Sequence, residues 1–495
     1  GRVVRTVGLL GGVSTTRDTP RIIQTMKKHP LLFLVLVTFG VTLLAGCMNH
    51  SNAPAGEIKI DPGETYETIE GFGASAAWWA QDVGGWEDEK RNHIVELLFD
   101  RETGIGLTIY RYNIGAGIVG NIQDPWRTAQ TFEVSPVVHD WSRDANALWV
   151  MKAALAQGAE QFVAFVNSPP ARMTVSGLTT GEKDGLSNLR PDMYEAFAQY
   201  MVDIVHHLRE GEGIPIGYIS PVNEPQWGWS YKNGQEGCHY GPQEVLEVTR
   251  ALLHTIDASG MDVKVSVFES GQWKGSQVYI DALLNDPEVG PRLPHLAIHS
   301  YWSKVEDKTP IVNYLTRNFP GTKIWQTEWT EMKDGRDTGM DSALVLANTV
   351  QEDLSVAGVT SWQYWIAVSQ YFYHDGLIYV NQSSHAVIET KRLWALGNFS
   401  RYVRPGDVRI GAETGTSDLS VSAYQSPNTS QIVVVIINNG TKPASAGVNG
   451  IPADLRQVGQ YETSTQNSLT EVLSGTIPTA FTFPAQSVTT LVFTK

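Results

Sequence analysis

Two glutamates in this 495-residue chain stand where a folded protein could use them as a pair. Glu224 follows the apolar run Ile216 to Val222 and Asn223, and precedes Pro225; Glu328 follows Lys323 to Thr327 and precedes Trp329. Each run reads as a strand, and about 100 residues, the length of three strand–helix units, separate the two acids. A carboxyl in a crowded apolar setting holds its proton and can donate it, whereas one in a polar setting stays ionised and can attack. Facing each other, the two could divide acid and nucleophile roles in a bond cleavage. Alone, a glutamate after a strand is more often a cap or a solvated loop residue, so the pairing carries the reading. Glu269, behind Val263 to Phe268, is expected to support rather than react. His239, His299 and His374 lack metal-ligand spacing, so neither a catalytic metal nor a cofactor is expected. Cys238 reads as a packing residue, and no serine stands in a nucleophile elbow, which counts against an amidase or esterase.

The elements that must position these acids follow from the periodicity. From Ile69 to about Arg404, short apolar runs alternate with helix-length amphipathic segments, as in repeated βα units around a parallel sheet. Eight strands are predicted: Gly71 to Ala74, Leu107 to Tyr112, Gln161 to Val166, Ile216 to Val222, Val263 to Phe268, Leu296 to Ser300, Lys323 to Thr327 and Thr360 to Tyr364. Helices are predicted over Met193 to Leu208, Pro242 to Ile256, Ser342 to Val356 and Thr390 to Tyr402. Eight such units imply an α/β fold closed as a (β/α)8 TIM barrel over 69–404, with reacting residues at the carboxyl ends of its strands. An open doubly wound sheet lacks its mark, a glycine-rich phosphate loop after the first strand. Beyond Pro405 the period changes to two, around Val408 to Ile410, Leu419 to Tyr424, Gln431 to Asn438, Gln457 to Thr463 and Ser487 to Phe493. That makes 405–495 a β-sandwich side domain, which strands within 57–68 are expected to join.

The amino terminus reads as an address. Lys27 and Lys28 precede an apolar run, Leu31 to Leu44, that closes on Leu44, Ala45, Gly46 and Cys47. Residues 26–47 are therefore expected to be a lipoprotein signal peptide with Cys47 as the lipidated residue, 48–56 a tether, and 1–25 a non-native or over-extended start. The expected location is the bacterial cell envelope, secreted and held to a membrane through that lipid. Once Cys47 is acylated, Cys238 has no disulfide partner. The formal net charge of −15 argues against a nucleic-acid partner and suits a neutral substrate. The 15 tryptophans and 18 tyrosines suit sugar-stacking surfaces, although most tryptophans belong to cores.

Asn223, Glu224 and Pro225 at strand four with Glu328 at strand seven resemble the 4/7 glycosidases of clan A, and that resemblance implies Glu224 as general acid/base and Glu328 as nucleophile. The resemblance extends to glycoside hydrolase family 30. It rests on Gly71 to Ala74, Arg111, Asn167 to Pro170, Val222 to Pro225, His299 to Tyr301, Gln326 to Trp329, Arg401 to Gly406 and Ala485 to Leu491, in order after Ile69. It implies a retaining two-glutamate glycosidase acting on a β-linked polysaccharide as a monomer, with carboxyl groups about 5 to 5.5 Å apart. In that setting Asn223 is placed to bond the sugar 2-hydroxyl and Arg111 to hold Glu328 ionised. Arg111, Asn167, His299 and Tyr301 are expected among the substrate-binding residues, and Trp78, Trp79, Trp227, Trp302 and Trp365 are candidate platforms. Among the family's activities, endo-β-1,6-galactanase is expected here. The stretch Trp365 to Tyr371 carries no cation to clamp a uronic acid, and Asn223 to Trp229 with Gln235 to Tyr240 look similar to galactanase members. Glucuronoxylanase and β-1,6-glucanase stay open, as does a non-catalytic carbohydrate-binding lipoprotein, which need not keep both glutamates.

Overall fold

The structure, a computed structural model, describes residues 56–118 and 122–495. The leader, Cys47 and all of the tether but Gly56 lie outside the described residues. Nine short segments form a parallel sheet: β2 (Gly71–Ser75), β3 (Ile109–Ile114), β4 (Gln161–Val166), β5 (Ile216–Ser220), β6 (Lys264–Val265), β7 (Val267–Ser270), β8 (Leu296–Ile298), β9 (Ile324–Gln326) and β10 (Ser361–Tyr364). Each pairs in parallel with its neighbours in the order β6-β5-β4-β3-β2-β10-β9-β8-β7. The two ends of this sheet are halves of one strand, parted at Ser266, whose N–H donates to Ile219 O at 2.9 Å. One half pairs with β5 and the other with β8, so the ring closes as the eight-stranded barrel that the periodicity predicted.

A helix follows each barrel strand: α1 (Asp88–Phe99), α2 (Ala145–Gln157), α3 (Tyr194–His206), α4 (Pro242–Ser259), α5 (Gln277–Leu284), α6 (Val305–Asn318), α7 (Met340–Ser355) and α8 (Lys391–Ser400). Their ends obey local chemistry. Pro242 opens α4 where no N–H is needed, and Gly260 closes it at φ +71°. The Thr390 hydroxyl accepts the Leu393 N–H and caps α8. The amino end of the barrel is sealed by stacked Trp325 and His295, 3.8 Å apart, with Glu70 bonded to Trp325, Lys323 and Thr360.

Apart from two small sheets of three and two strands in the barrel's loops, nine further strands form a second sheet: β1 (Gly56–Thr68), β11 (Val408–Thr414), β12 (Leu419–Gln425), β13 (Gln431–Asn438), β14 (Ala444–Asn449), β15 (Gln457–Thr463), β16 (Thr470–Thr476), β17 (Phe481–Phe483) and β18 (Ser487–Thr494). Its order is β16-β15-β18-β13-β12-β11-β1-β14-β17, with β1 inserted between β11 and β14, as the 57–68 segment predicted. The sheet curls until its flanks face one another. Phe481 meets Phe493 edge-on, and Gln460 Nε2 donates to Thr482 O at 3.0 Å. Sequence periodicity missed β14 and β16, whose small and polar residues hide the alternation, and β17, whose three residues are too few to show it.

In β13 alternation is lost because both faces are covered. Ile432, Val434 and Ile436 fill the sandwich, while Val433, Val435 and Ile437 join the barrel's core. At this junction buried Asn398 donates to Thr490 Oγ1 (2.9 Å) and Tyr461 O (3.2 Å). Removing that amide strands Tyr461 O away from water, so Asn398→Ala should destabilise the fold by about 1–3 kcal/mol. Because every tryptophan lies in 78–394, fluorescence reports the barrel and far-UV circular dichroism reports both parts. The expected result is one coincident urea transition, shifted together in Asn398→Ala; a dichroism transition parted from fluorescence would show that the shared core does not couple them.

Candidate active site

Glu224 and Glu328 emerge from the carboxyl ends of β5 and β9 and face each other across the barrel mouth. They are 8% and 5% exposed, and one oxygen of each lies within 4.8 Å of the other. That is the close spacing of a retaining pair; an inverting pair stands about 6.5–9.5 Å apart to admit a water. Glu224 sits at φ +46°, a strained conformation for a residue with a side chain. Its environment imposes that conformation. The Glu224 N–H donates to Glu269 O (2.9 Å), its carbonyl accepts Trp227 N–H (3.2 Å) and Trp229 Nε1 (3.1 Å), and Pro225 O accepts Tyr240 N–H. Gly271, just past β7, makes the room: a Cβ there would meet Trp227 Nε1 at 2.6 Å and Glu224 Oε1 at 2.7 Å. Trp78 and Trp302, after other barrel strands, and Glu269, within β7, also have positive φ, at 66°, 50° and 57°.

Beneath the pair lies a buried charge cluster. Arg111, projecting from β3 into the barrel with no exposure, donates to Glu328 Oε2 at 2.6 Å and to Asn223 Oδ1 at 3.0 Å. Its other charged neighbour is Glu269, at 3.5 Å, and Phe165 packs under the guanidinium. His299 bridges two carboxyls, with Nδ1 3.3 Å from Glu224 and Nε2 3.0 Å from Glu269. Tyr301 donates to Glu328 Oε1 at 3.1 Å. Burial would raise the Glu269 carboxyl, but Arg111, His299 and Thr327 outweigh it and hold it down to about 2. Burial would likewise depress His299, yet the surrounding glutamates Glu328, Glu224 and Glu269 raise it to about 9. For Glu224 burial wins: it raises the carboxyl, assisted by the charge of Glu328, over the opposing pull of His299 and Arg111. The donor atoms of Glu224, His299 and Glu328 converge as a metal site's would. Both His299 ring nitrogens already face carboxyls, Nδ1 towards Glu224 and Nε2 towards Glu269, so hydrogen bonds account for the convergence.

Above the cluster opens a cleft of about 670 Å³, lined by Trp78, Asn167, Asn223, Trp227, Tyr301, Trp302 and Trp365 with the two glutamates. Trp365 meets Trp78 edge-on at 5.0 Å, and Trp227 meets Trp302 at 6.0 Å. Three expected contacts differ. Trp79 is core rather than platform: it is 1% exposed, and its Nε1 donates to Ser75 O. Arg111 and His299 have no exposure and lie behind the carboxyls, because the residues that point into a closed barrel are packed; they reach a sugar only through the glutamates. Glu269 is a supporting group, bonded to Ser220, Thr327 and His299. Cys238 is buried, its thiol pushed up to about 12 by burial, as suits a packing residue.

The cleft also contains Arg127, Phe372 and Asp375, which motif reading passed over, and Gln235 and Tyr371, which it named only as ends of loop stretches. Trp365 to Tyr371 carries no cation, but Arg127 arrives from the loop after β3. Its guanidinium lies 5.2 Å from the Trp78 ring and 5.0 Å from Tyr371, and donates to Tyr371 Oη and Gln235 Oε1. Asp124 stands 3.9 Å away, so the charge is already partnered. No periodicity marks these loop residues, and only the fold brings them together.

Comparison with known proteins fits this geometry. Residues 55–379 match the model for O-glycosyl hydrolase family 30. An endo-β-1,6-galactanase from Hypocrea rufa is 24% identical over 462 residues, covering 83% of this chain and 90% of that protein. The glucuronoxylanase XynC from Bacillus subtilis is 24% identical over 478 residues, covering 95% and 99%. The crystal structure of a conserved exported protein from Bacteroides fragilis superposes with a TM-score of 0.80 at 27% identity, covering 88% of this chain and 100% of that one. With its closed barrel, curled side sheet and paired carboxyls, the chain belongs to glycoside hydrolase family 30 and is a retaining glycosidase.

Proposed function

We propose that Glu224 is the general acid/base and Glu328 the nucleophile of a double displacement on a β-linked polysaccharide, most specifically an endo-β-1,6-galactanase reaction. The observation that carries the assignment is the asymmetry of the pair. Glu328 is held by Arg111 and Tyr301, an arrangement that suits attack, while Glu224 has a raised proton affinity that suits donation. Glu328 attacks C1 of the sugar as Glu224 protonates the departing oxygen; Glu224 then takes a proton from water as the glycosyl–enzyme bond is hydrolysed. Asn223, fixed by Arg111, is placed to bond the sugar beside the break.

Either Glu224→Gln or Glu328→Gln should lower kcat by about 1000-fold or more, while calorimetry still registers oligosaccharide binding. A raised Glu224 must be protonated to act, so kcat/KM should fall as pH rises through its titration. With a dinitrophenyl leaving group that needs no proton, this alkaline limb should vanish in Glu224→Gln. Normal polysaccharide turnover in both variants would refute the assignment.

The substrate reading is supported by the likeness to the Hypocrea rufa galactanase and by a cleft whose one arginine is already bonded to Tyr371 and Gln235. A uronic acid branch needs a cation free to form a bidentate contact. Paired tryptophans suit a 1,6-linked chain, whose extra rotatable bond must be pinned by stacking. The expected order of kcat/KM places β-1,6-galactan above β-1,6-glucan and glucuronoxylan, and a clear preference for either of the latter would replace the galactanase reading. The same proposal places the enzyme outside the cytoplasm on a lipid at Cys47, supported by the apolar run that ends there. Expressed in a bacterium from the full chain, it should partition into detergent, and Cys47→Ser should move it to the aqueous phase; unchanged partition would count against the anchor.

A further inference from the structure

Beside the catalytic cleft lies a second groove to which the two-glutamate reaction gives no task. It has a volume of about 720 Å³ and is walled by Trp302, Lys304, Val345, Asn348, Thr349 and Asn439. Trp302 lines both cavities and is 59% exposed, so the groove meets the cleft at an open indole. Ser300 and Trp329 also line the groove, and the Ser300 N–H donates to the Glu328 carbonyl at 3.3 Å. It therefore begins beside the backbone of the nucleophile. Its other walls come from the first turn of α6, from α7, and from the loop between β13 and β14, which brings Asn439 from the side domain.

The loop that presents Asn439 is pinned in place. Asn438, with no exposure, donates from its side-chain amide to Lys442 O at 3.0 Å and Pro484 O at 2.8 Å, and its Oδ1 accepts the Gly440 N–H at 2.9 Å. The Asn439 N–H donates to Asp418 O at 2.9 Å. The exposed side chain of Asn439 pairs with that of Asn348 on α7 through two reciprocal bonds of 2.7 and 3.1 Å. A carboxamide carries two N–H groups and two acceptor sites, so this pairing leaves Asn439 one N–H and one lone pair for a ligand.

These groups suit a neutral sugar. Lys308 at the groove is neutralised by Glu352 at 2.6 Å and Asp353 at 2.8 Å. An open indole and Val345, which is 42% exposed, offer apolar surface to a pyranose face, while the amide of Asn439 can bond its hydroxyls. Continuity with the cleft names the source of that sugar, because a polymer cut between Glu224 and Glu328 that passes over Trp302 enters this groove. We propose that the groove between α6, α7 and the Asn439 loop is a distal subsite for the polysaccharide chain, so that the side domain takes part in holding substrate. The inference rests on the reading of the substrate as a polymer. Contacts far from the break are as strong in the ground state as in the transition state, so the subsite lowers KM and leaves kcat alone.

The test uses whichever of β-1,6-galactan, β-1,6-glucan and glucuronoxylan the wild type cleaves fastest, with its oligosaccharides of increasing length. Asn439→Ala removes the amide, and Val345→Arg fills the groove from an exposed helical position that arginine suits. Each variant should raise KM on the polymer about fivefold or more with kcat unchanged, and stay within about twofold of the wild type on the shortest oligosaccharide cleaved. A polymer KM within about twofold of the wild type in either variant overturns the proposal, as does an equal loss at every chain length, which marks a change in the catalytic cleft itself. Calorimetric titration of the longest oligosaccharide into Glu328→Gln, with and without Asn439→Ala, reads the subsite without turnover: about fivefold weaker binding is expected, and equal affinity overturns it. Should the wild type cleave short oligosaccharides and none of the polymers, the polymer reading falls and the subsite with it, whereas efficient polymer cleavage that ignores both variants removes the subsite alone.

Discussion

Arg111 is the fixed point of the site. A guanidinium with no exposure, inside a closed barrel, is tolerable only where carboxyls and hydrogen-bond acceptors surround it. It bonds Glu328 and Asn223 directly and faces Glu269 at 3.5 Å. Glu269 in turn orients His299, and His299 reaches Glu224. Two cations thus face three carboxyls, a balance that leaves one carboxyl free to hold a proton without leaving the cluster charged. Glu224, the best exposed of the three, is the one whose proton affinity rises. The different settings of Glu224 and Glu328 are a property of five residues from five different strands.

The backbone is shaped around that cluster. Glu224 and Glu269 both lie in the left-handed region, and the Glu224 N–H donates to the Glu269 carbonyl, so the two strained residues hold each other. Gly271 leaves the space beside Glu224 and Trp227 that any Cβ would fill. The fifth barrel strand, parted at Ser266, serves as both ends of the barrel sheet and carries the supporting carboxylate just beyond the break.

The side domain acts on the barrel through a shared core. β13 gives alternate residues to the sandwich and to the barrel cluster, and Asn398 ties α8 to β15 and β18. Arg401 and Arg404 donate to the carbonyls of Gly104 and Gly106 ahead of β3, the strand that carries Arg111. The strand that carries Arg111 is therefore anchored at the junction where the barrel passes into the side domain. The cleft walls come instead from the loops, with Trp302 and Phe372 59% and 77% exposed and free to meet a polymer.

Much of this was legible in the residues alone. Eight apolar runs with helical spacing between them lie within a few residues of the observed barrel strands, because a parallel strand covered on both faces must be apolar throughout. The two glutamates were legible because they end such runs. Arg111 and Glu269 were also visible in sequence, but their burial behind the carboxyls was not, since exposure depends on which strand ends face one another once the ring closes. Trp78 and Trp79 are indistinguishable as neighbours in the chain, and only the backbone turn at Trp78 sends one to the cleft and the other to the core. Arg127, Gln235 and Asp375 come from three loops with no periodic pattern. The sequence determined the barrel, the sandwich and the position of the two glutamates at strand ends, which local hydrophobic periodicity encodes; the tertiary structure alone decided which polar side chains converge on the cleft, because that is set by loop paths and long-range packing.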